Sequence, residues 1–350
     1  MKAAVLHAPG DVRIEDLEIP TPASDEVLIR VSHNGLCGTD ATEYTKGPMM
    51  VPLLKVHPGS GHLGPTTLGH EFIGTVVGAG AEATDWVGKR VASGAGVHCG
   101  KCRWCLAGKT NLCAQYYTLG LSTHGGLAEF AVSPARIVRE IPDAVMDIDA
   151  ALAQPQAVGL HAVRQAGLAE GDRVVLLGVG AIGSFVCSAL SRHGGPVIAV
   201  DVDQRRLDIA RQLGATDAIL ISRDTSAAQL REVVGPDVDV VFETSGAPGA
   251  AERAFALPVM GGKVVLVGLN KTPQPLNLAE IVLREIDVRT TVAHVCDQDL
   301  SEALDLVGDR KLSELLVDRV IPLSDIVQGG LEPLASGQLL GKVLVDPRLG

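Results

Sequence analysis

Two rhythms of apolar and polar residues divide the chain. Over residues 1 to 32, short β-rich runs (AAVLHA, EVLIRVS) alternate with turns rich in Pro and Gly. That pattern predicts an antiparallel, partly open β structure. Residues 45 to 66, TKGPMMVPLLKVHPGSGHLGPT, carry four prolines and four glycines without a period. They predict a long loop, the kind of segment that often lines a binding site. FIGTVVGAG and KRVASGAGV then read as strands again.

Near residue 153 the rhythm changes. The runs RVVLLG, PVIAVD, DAILI, DVVFET, KVVLVG and DVRTTV predict six strands, with helices starting near Ile182, Gln204, Thr225, Gly249 and Leu278 between them. The runs are almost continuously apolar, as expected of strands covered by helices on both faces. Six such strands match a doubly wound parallel sheet. From about residue 293 the pattern gives one more helix, DLSEALDLVGD, then short strands and turns.

Composition narrows the class. A chain of 350 residues exceeds one comfortable core and implies about two domains. The net charge of −11, with no basic run, argues against a nucleic-acid partner, which requires clustered Lys and Arg to replace counterions. The first twenty residues hold no apolar stretch of signal-peptide length. The 18 uncharged residues between Arg173 and Arg192, VVLLGVGAIGSFVCSALS, reach the length of a membrane span. Their three close glycines read instead as strand, turn and helix start, so no membrane partner is expected. Of seven cysteines, four fall within 15 residues. That is poor spacing for a disulfide framework and good spacing for a metal, which points to a reducing cytoplasm.

Gly178, Gly180 and Gly183 form GxGxxG directly after an apolar run and before a helical one. Asp201 ends the next predicted strand, at the spacing of a dinucleotide fingerprint. The glycines permit a tight turn and bring a pyrophosphate close to the helix N-terminus, where free N–H groups point outward. Ile182 and Arg206 complete the candidate contacts. Asp201 can accept both ribose hydroxyls and would repel a 2′-phosphate, which selects NAD; Arg205 and Arg206 work against that preference.

Cys99, Cys102, Cys105 and Cys113 have the spacing C-x2-C-x2-C-x7-C. Four thiolates satisfy a tetrahedral zinc completely and leave no position for substrate, so this lobe, about residues 96 to 115, reads as structural. Iron–sulfur ligation uses the same donors and is the competing reading. Lys101, Arg103 and Lys109 are expected to offset the thiolate charge. Cys37, in CGTDATEY, is by itself ambiguous between a metal ligand and a small buried residue.

Together, CGTD at 37 to 40, GHE at 69 to 71, the four-cysteine lobe and the later GxGxxG with Asp201 resemble the zinc-dependent medium-chain dehydrogenase/reductase family, over nearly the whole chain. The likeness is strongest to its butanediol, sorbitol and threonine dehydrogenase branch. The resemblance implies an α/β protein: a GroES-like β-rich catalytic domain from residues 1–153 and 293–350, and a Rossmann domain from 154–292. It implies two zinc ions, one structural and one catalytic, with NAD, and a homodimer or homotetramer. Cys37 and His70 become zinc ligands, Glu71 a ligand or an acid behind them, and Thr39 the hydroxyl that takes the substrate proton. The implied reaction moves a hydride between a secondary alcohol, diol or polyol and the nicotinamide, with zinc polarising the substrate oxygen.

Two positions depart from the family pattern. The His that usually follows CGTD and carries the proton to solvent is replaced by Thr42, which cannot accept a proton near neutral pH as imidazole does. His33, His57 and His62 are the candidates to replace it. The acid expected in an EPxAVGxHA-like stretch is Gln154 in AQPQAVGLHAV. Three readings follow. Zinc is held by Cys37, His70 and Glu71 with Gln154 only touching a water. Zinc is held with Gln154 as a neutral ligand. Or only the structural zinc remains, and the chain reduces an activated C=C or C=N bond.

Overall fold

A computed structural model describes residues 1–270 and 272–349. Contacts divide the chain into two compact units, Met1–Ala157 with His294–Gly350, and Val158–Ala293.

The first unit is built mainly from β structure. In its largest sheet, Glu71–Ala79 and Glu26–Gly35 run antiparallel side by side. The C-terminal strand Lys342–Asp346 pairs with the other side of Glu26–Gly35, placing Leu344 opposite Gly35. Both ends of the chain therefore share one sheet. They also share one core: Leu6, Leu36, Leu68 and Leu127 pack with Ile321, Ile326, Leu331 and Val343. Full burial of each such side chain contributes about 1.5–3 kcal/mol. Most of the predicted long loop has no regular structure, and it ends in the short strand Thr66–Thr67.

The second unit is a six-stranded, fully parallel sheet. Its order is Asp217–Leu220, Val197–Asp201, Val174–Leu177, Val240–Glu243, Lys263–Leu266, Asp287–Thr290. In chain order this is 3-2-1-4-5-6, the doubly wound arrangement with its switch point between Val174–Leu177 and Val240–Glu243. Val174, Val175 and Leu176 are completely buried, as the continuous apolar run requires. Helices Ala181–Leu190, Gln204–Leu213, Ala227–Val234, Ala250–Ala256 and Leu278–Leu283 connect the strands. The stretch of membrane-span length is one of these strand–turn–helix passages. Among the described residues no helix is long and apolar enough to cross a membrane.

Two helices were not legible as such. CGTDATEY, to which no element is assigned above, enters the helix Gly38–Lys46. Its threonines and glycine are poor helix formers. Asp40 offsets this by accepting the Cys37 N–H at 2.8 Å across the first turn, a capping interaction. The second helix, Ala153–Ala166, contains Pro155 near its start, where a missing N–H costs nothing. The division between the units falls at Ala157 and Val158.

Candidate active site

In the first unit, Cys37 precedes the helix Gly38–Lys46, and His70 and Glu71 lie at the start of the strand Glu71–Ala79. The pairing of that strand with Glu26–Gly35 sets Glu71 opposite Gly35 and brings the two segments together. One donor atom from each of Cys37, His70 and Glu71 lies within 4.8 Å of the others. His70 and Glu71 are buried. A thiolate, an imidazole and a carboxylate make a donor set that suits zinc with a position left open.

Asp40, fully buried, places Oδ1 3.4 Å from His70 Nδ1. This leaves Nε2 as the ring nitrogen for a metal, with a carboxylate behind the imidazole to hold its orientation. Burial lowers the basicity of His70, but Asp40 and Cys37 outweigh it and hold the pKa well above its usual value. A bound metal would displace that proton, since the ligand must be neutral. The Cys37 thiol donates to Thr39 Oγ1 at 3.7 Å, so the hydroxyl adjoins the trio.

Glu71 has a second partner. Lys342 Nζ lies 2.5 Å from Oε2 and 2.7 Å from Oε1 of Glu71, and donates to the Leu36 carbonyl at 2.9 Å. Both side chains are buried. A metal at Cys37 and His70 thus competes with a buried ammonium for this carboxylate. That favours Glu71 behind the metal over Glu71 bound to it. Sequence reasoning missed Lys342, which is 271 residues away. Asp40 could have been found, because an acid three residues after the start of a helix is a capping signal.

Gln154 is the second residue of the helix Ala153–Ala166 and is half-buried; the trio assembles without it. Thr42 Oγ1 donates to the Gly38 carbonyl at 2.8 Å, so its proton is committed to its own helix. Of the candidate replacements, His57 and His62 are engaged elsewhere. His33 is buried, which lowers its pKa, and its Nε2 lies 4.0 Å from Asp346. His57 Nδ1 accepts from Gly59 and Ser60 N–H at 3.2 Å. His62 Nε2 pairs with Thr66 Oγ1 at 2.9 Å.

Glu43, buried on the same helix, accepts the N–H groups of Met49 at 2.9 Å and Met50 at 2.6 Å. It fixes the start of the long loop. Glu43→Ala strands two amides and is expected to cost about 1–3 kcal/mol for each that stays buried. Limited proteolysis should then cut between residues 47 and 56 faster than in the wild type; equal rates would contradict this role.

The four lobe cysteines also converge, with their sulfurs within 4.8 Å of one another. The helix Arg103–Leu106 and the turn Thr110–Leu112 carry the chain around them. Backbone N–H groups meet the sulfurs of Cys102 and Cys113. Cys99 and Gln115 N–H both donate to Cys113 Sγ at 3.3 Å. Hydrogen bonds from the Cys105 and Ala114 N–H groups pull Cys102 down to about 6. Lys101, Arg103 and Lys109 point into solvent, Arg103 lying over the Trp104 ring at 4.5 Å. Cys102→Ala should remove one zinc per chain. A loss of ~3 kcal/mol, well under the free energy of a structural zinc site, lowers Tm by about 6–12 °C in a unit of this size. An unchanged zinc count in that variant would contradict the assignment.

In the second unit, the turn after Val174–Leu177 needs glycine at two places. Gly178 has φ +92°, and a Cβ on Gly183 would meet the Gly178 carbonyl at 2.2 Å. Gly180 precedes the helix Ala181–Leu190, and Ile182, half-buried, is in its first turn. Asp201 is buried and holds this turn together. Its Oδ2 accepts the Val179 N–H at 2.6 Å; its Oδ1 accepts those of Val202 at 2.7 Å and Asp203 at 3.0 Å. Arg206 approaches Asp201 to 4.0 Å, whereas Arg205 is turned away onto Asp203 at 2.7 Å. Gly178, Gly180, Asp201 and Arg206 are therefore neighbours, at a helix N-terminus suited to a pyrophosphate.

Comparison with known proteins identifies the family. Residues 23–143 match the alcohol dehydrogenase GroES-like domain, and residues 181–309 match the zinc-binding dehydrogenase domain. The (R,R)-butanediol dehydrogenase of Bacillus subtilis is 33% identical over 99% of this chain and 100% of its own. The chain belongs to the zinc-binding dehydrogenase family. The sorbitol dehydrogenase of the same bacterium is 34% identical, over 82% of this chain and 81% of its own. The crystal structure of 2R,3R-butanediol dehydrogenase from Bacillus subtilis superposes with a TM-score of 0.90 at 31% identity, covering 99% of both chains. Among similar solved zinc-binding and alcohol dehydrogenases, one carries NADH and another NADP. This dehydrogenase is accordingly an oxidoreductase with a GroES-like domain and a Rossmann domain.

Proposed function

We propose that this dehydrogenase interconverts a secondary alcohol, diol or polyol with its ketone, using NAD(H) and a zinc held at Cys37 and His70. The observation that carries the reading is the convergence of Cys37, His70 and Glu71 within 4.8 Å, with Thr39 against Cys37. When bound, zinc supplies Lewis-acid polarisation of the substrate oxygen, and the nicotinamide supplies hydride exchange. Thr39 Oγ1 accepts the substrate hydroxyl proton only as it gives up its own, so the net proton passes to solvent water. Asp40 holds the His70 ring, and Lys342 holds Glu71 behind it as a fixed negative charge. A second zinc, at the four lobe cysteines, is structural.

NAD is assigned over NADP because a 2′-phosphate would come against the Asp201 carboxylate. Gly178, Gly180, Ile182, Gly183 and Arg206 are the other residues assigned to the dinucleotide. A homo-oligomer is assigned from the edge strand Asp287–Thr290, in which Val288 is exposed, as are Val282 and Leu283 of the preceding helix. The cytoplasm is assigned because none of the seven cysteines is in a disulfide and five of them are placed as metal ligands.

The test is a panel of vicinal diols, polyols and their ketones, assayed at 340 nm with NAD(H) and NADP(H). Turnover of at least one diol or polyol, with NAD preferred, is expected. Turnover confined to activated C=C or C=N substrates would overturn the reading.

A further inference from the structure

The strand Val240–Glu243 ends in a buried carboxylate that the scheme above does not use. Glu243 is 1% exposed. Its Oε1 accepts three hydrogen bonds: Ser245 N–H at 2.8 Å, Ser245 Oγ–H at 2.6 Å and Gly246 N–H at 2.9 Å. Its backbone carbonyl accepts the N–H groups of Val267 at 2.8 Å and Gly268 at 2.9 Å. One residue therefore ties down the loop after the fourth strand and the loop after the fifth.

The two loops touch through their backbones. A Cβ on Gly268 would lie 2.3 Å from Gly246 N and 2.9 Å from Glu243 Oε2; one on Gly246 would lie 2.8 Å from the Leu269 carbonyl. Thr244 connects them to the glycine turn, donating to the Gly178 carbonyl at 2.6 Å. An apolar residue would close the strand without the desolvation cost of a buried carboxylate, which is tolerated only when it is well bonded. The negative charge strengthens each of these three bonds.

The location gives this bracing a purpose. In a doubly wound sheet a dinucleotide lies across the carboxyl ends of the strands at the switch point. Asp201, on the second strand, marks the adenosine side, and the Ala181–Leu190 N-terminus marks the pyrophosphate. The other half of the molecule extends toward the fourth and fifth strands, over Thr244–Gly246 and Gly268–Leu269.

We propose that Glu243 is a positioning residue for the nicotinamide half of the dinucleotide: it sets the wall against which that half lies without touching it. The proposal rests on the dinucleotide reading above.

Binding separates the two. Kd values for NADH and for ADP-ribose, which lacks the nicotinamide, would be measured by calorimetry on the full chain. The variants are Glu243→Ala, Glu243→Gln and Ser245→Ala. Glu243→Ala is expected to weaken NADH by at least about 10-fold, one hydrogen bond to a charged group being worth that much, with ADP-ribose changed less than about 2-fold. Glu243→Gln, which keeps an acceptor oxygen, should restore most of the NADH affinity. Ser245→Ala, a milder change if Glu243→Ala does not fold, should weaken NADH by ~3–10-fold with the same selectivity. If the wild type binds both ligands but a folded variant loses them in parallel, or loses neither, the proposal is wrong and the dinucleotide reading stands. If the wild type binds neither ligand, both are wrong.

Discussion

Replacing Cys37 by alanine is expected to lower kcat/KM for alcohol oxidation by about 10³-fold or more, with folding intact. Lewis-acid stabilisation of developing charge is worth several kcal/mol, and each 1.36 kcal/mol is a factor of ten in rate. The variant removes the thiolate of the trio and leaves Asp40, His70 and the Lys342–Glu71 pair in place. The Asp40 bond that starts the helix goes to the Cys37 backbone N–H, which alanine keeps, so little stability should be lost. NADH affinity is expected to stay within about 3-fold of the wild type, because Gly178 and Asp201 lie in the second unit and a shift that small is under 1 kcal/mol. A variant that retains wild-type turnover would place the chemistry elsewhere.

Lys342→Met is expected to be the most destabilising single change in the site. It leaves Glu71 buried beside Asp40 and Cys37 without its counter-charge. Breaking one half of a buried pair costs about 3–5 kcal/mol, which lowers Tm by about 6–20 °C in a unit of this size. Adding Glu71→Gln should recover much of the loss, because a neutral amide needs no ammonium partner. Differential scanning calorimetry of the two variants checks this. A single variant as stable as the wild type would mean that Glu71 is neutralised in another way.

Much of this molecule was legible in the sequence where the signal is local. The parallel sheet followed from continuous apolar runs such as VVLLG and VIAVD, and the strand ends fell within a few residues of expectation; DVRTTV is shorter than read, ending at Thr290. The glycine turn and the cysteine lobe were legible because their chemistry fixes short spacings. The helix Gly38–Lys46 was not, because Asp40 overrides the weak propensity of its threonines. Nor was the tie from Lys342 to Glu71, which exists only because the C-terminal strand returns to pair with Glu26–Gly35. The amides around the lobe were not legible for a related reason: backbone N–H groups that face a sulfur leave no mark on residue identity. Glu243 was read only as part of an apolar strand, since the amides it holds carry no sequence signal.

The central claim is that Cys37 and His70 in this dehydrogenase hold a second metal although Gln154 stands where the family resemblance implied an acid. Zinc per chain, counted by native mass spectrometry after purification without chelator, tests it most directly. Two zinc ions per wild-type chain, falling to one in Cys37→Ala, is the predicted result. One zinc ion in both proteins would contradict it and leave the four-cysteine lobe as the metal site.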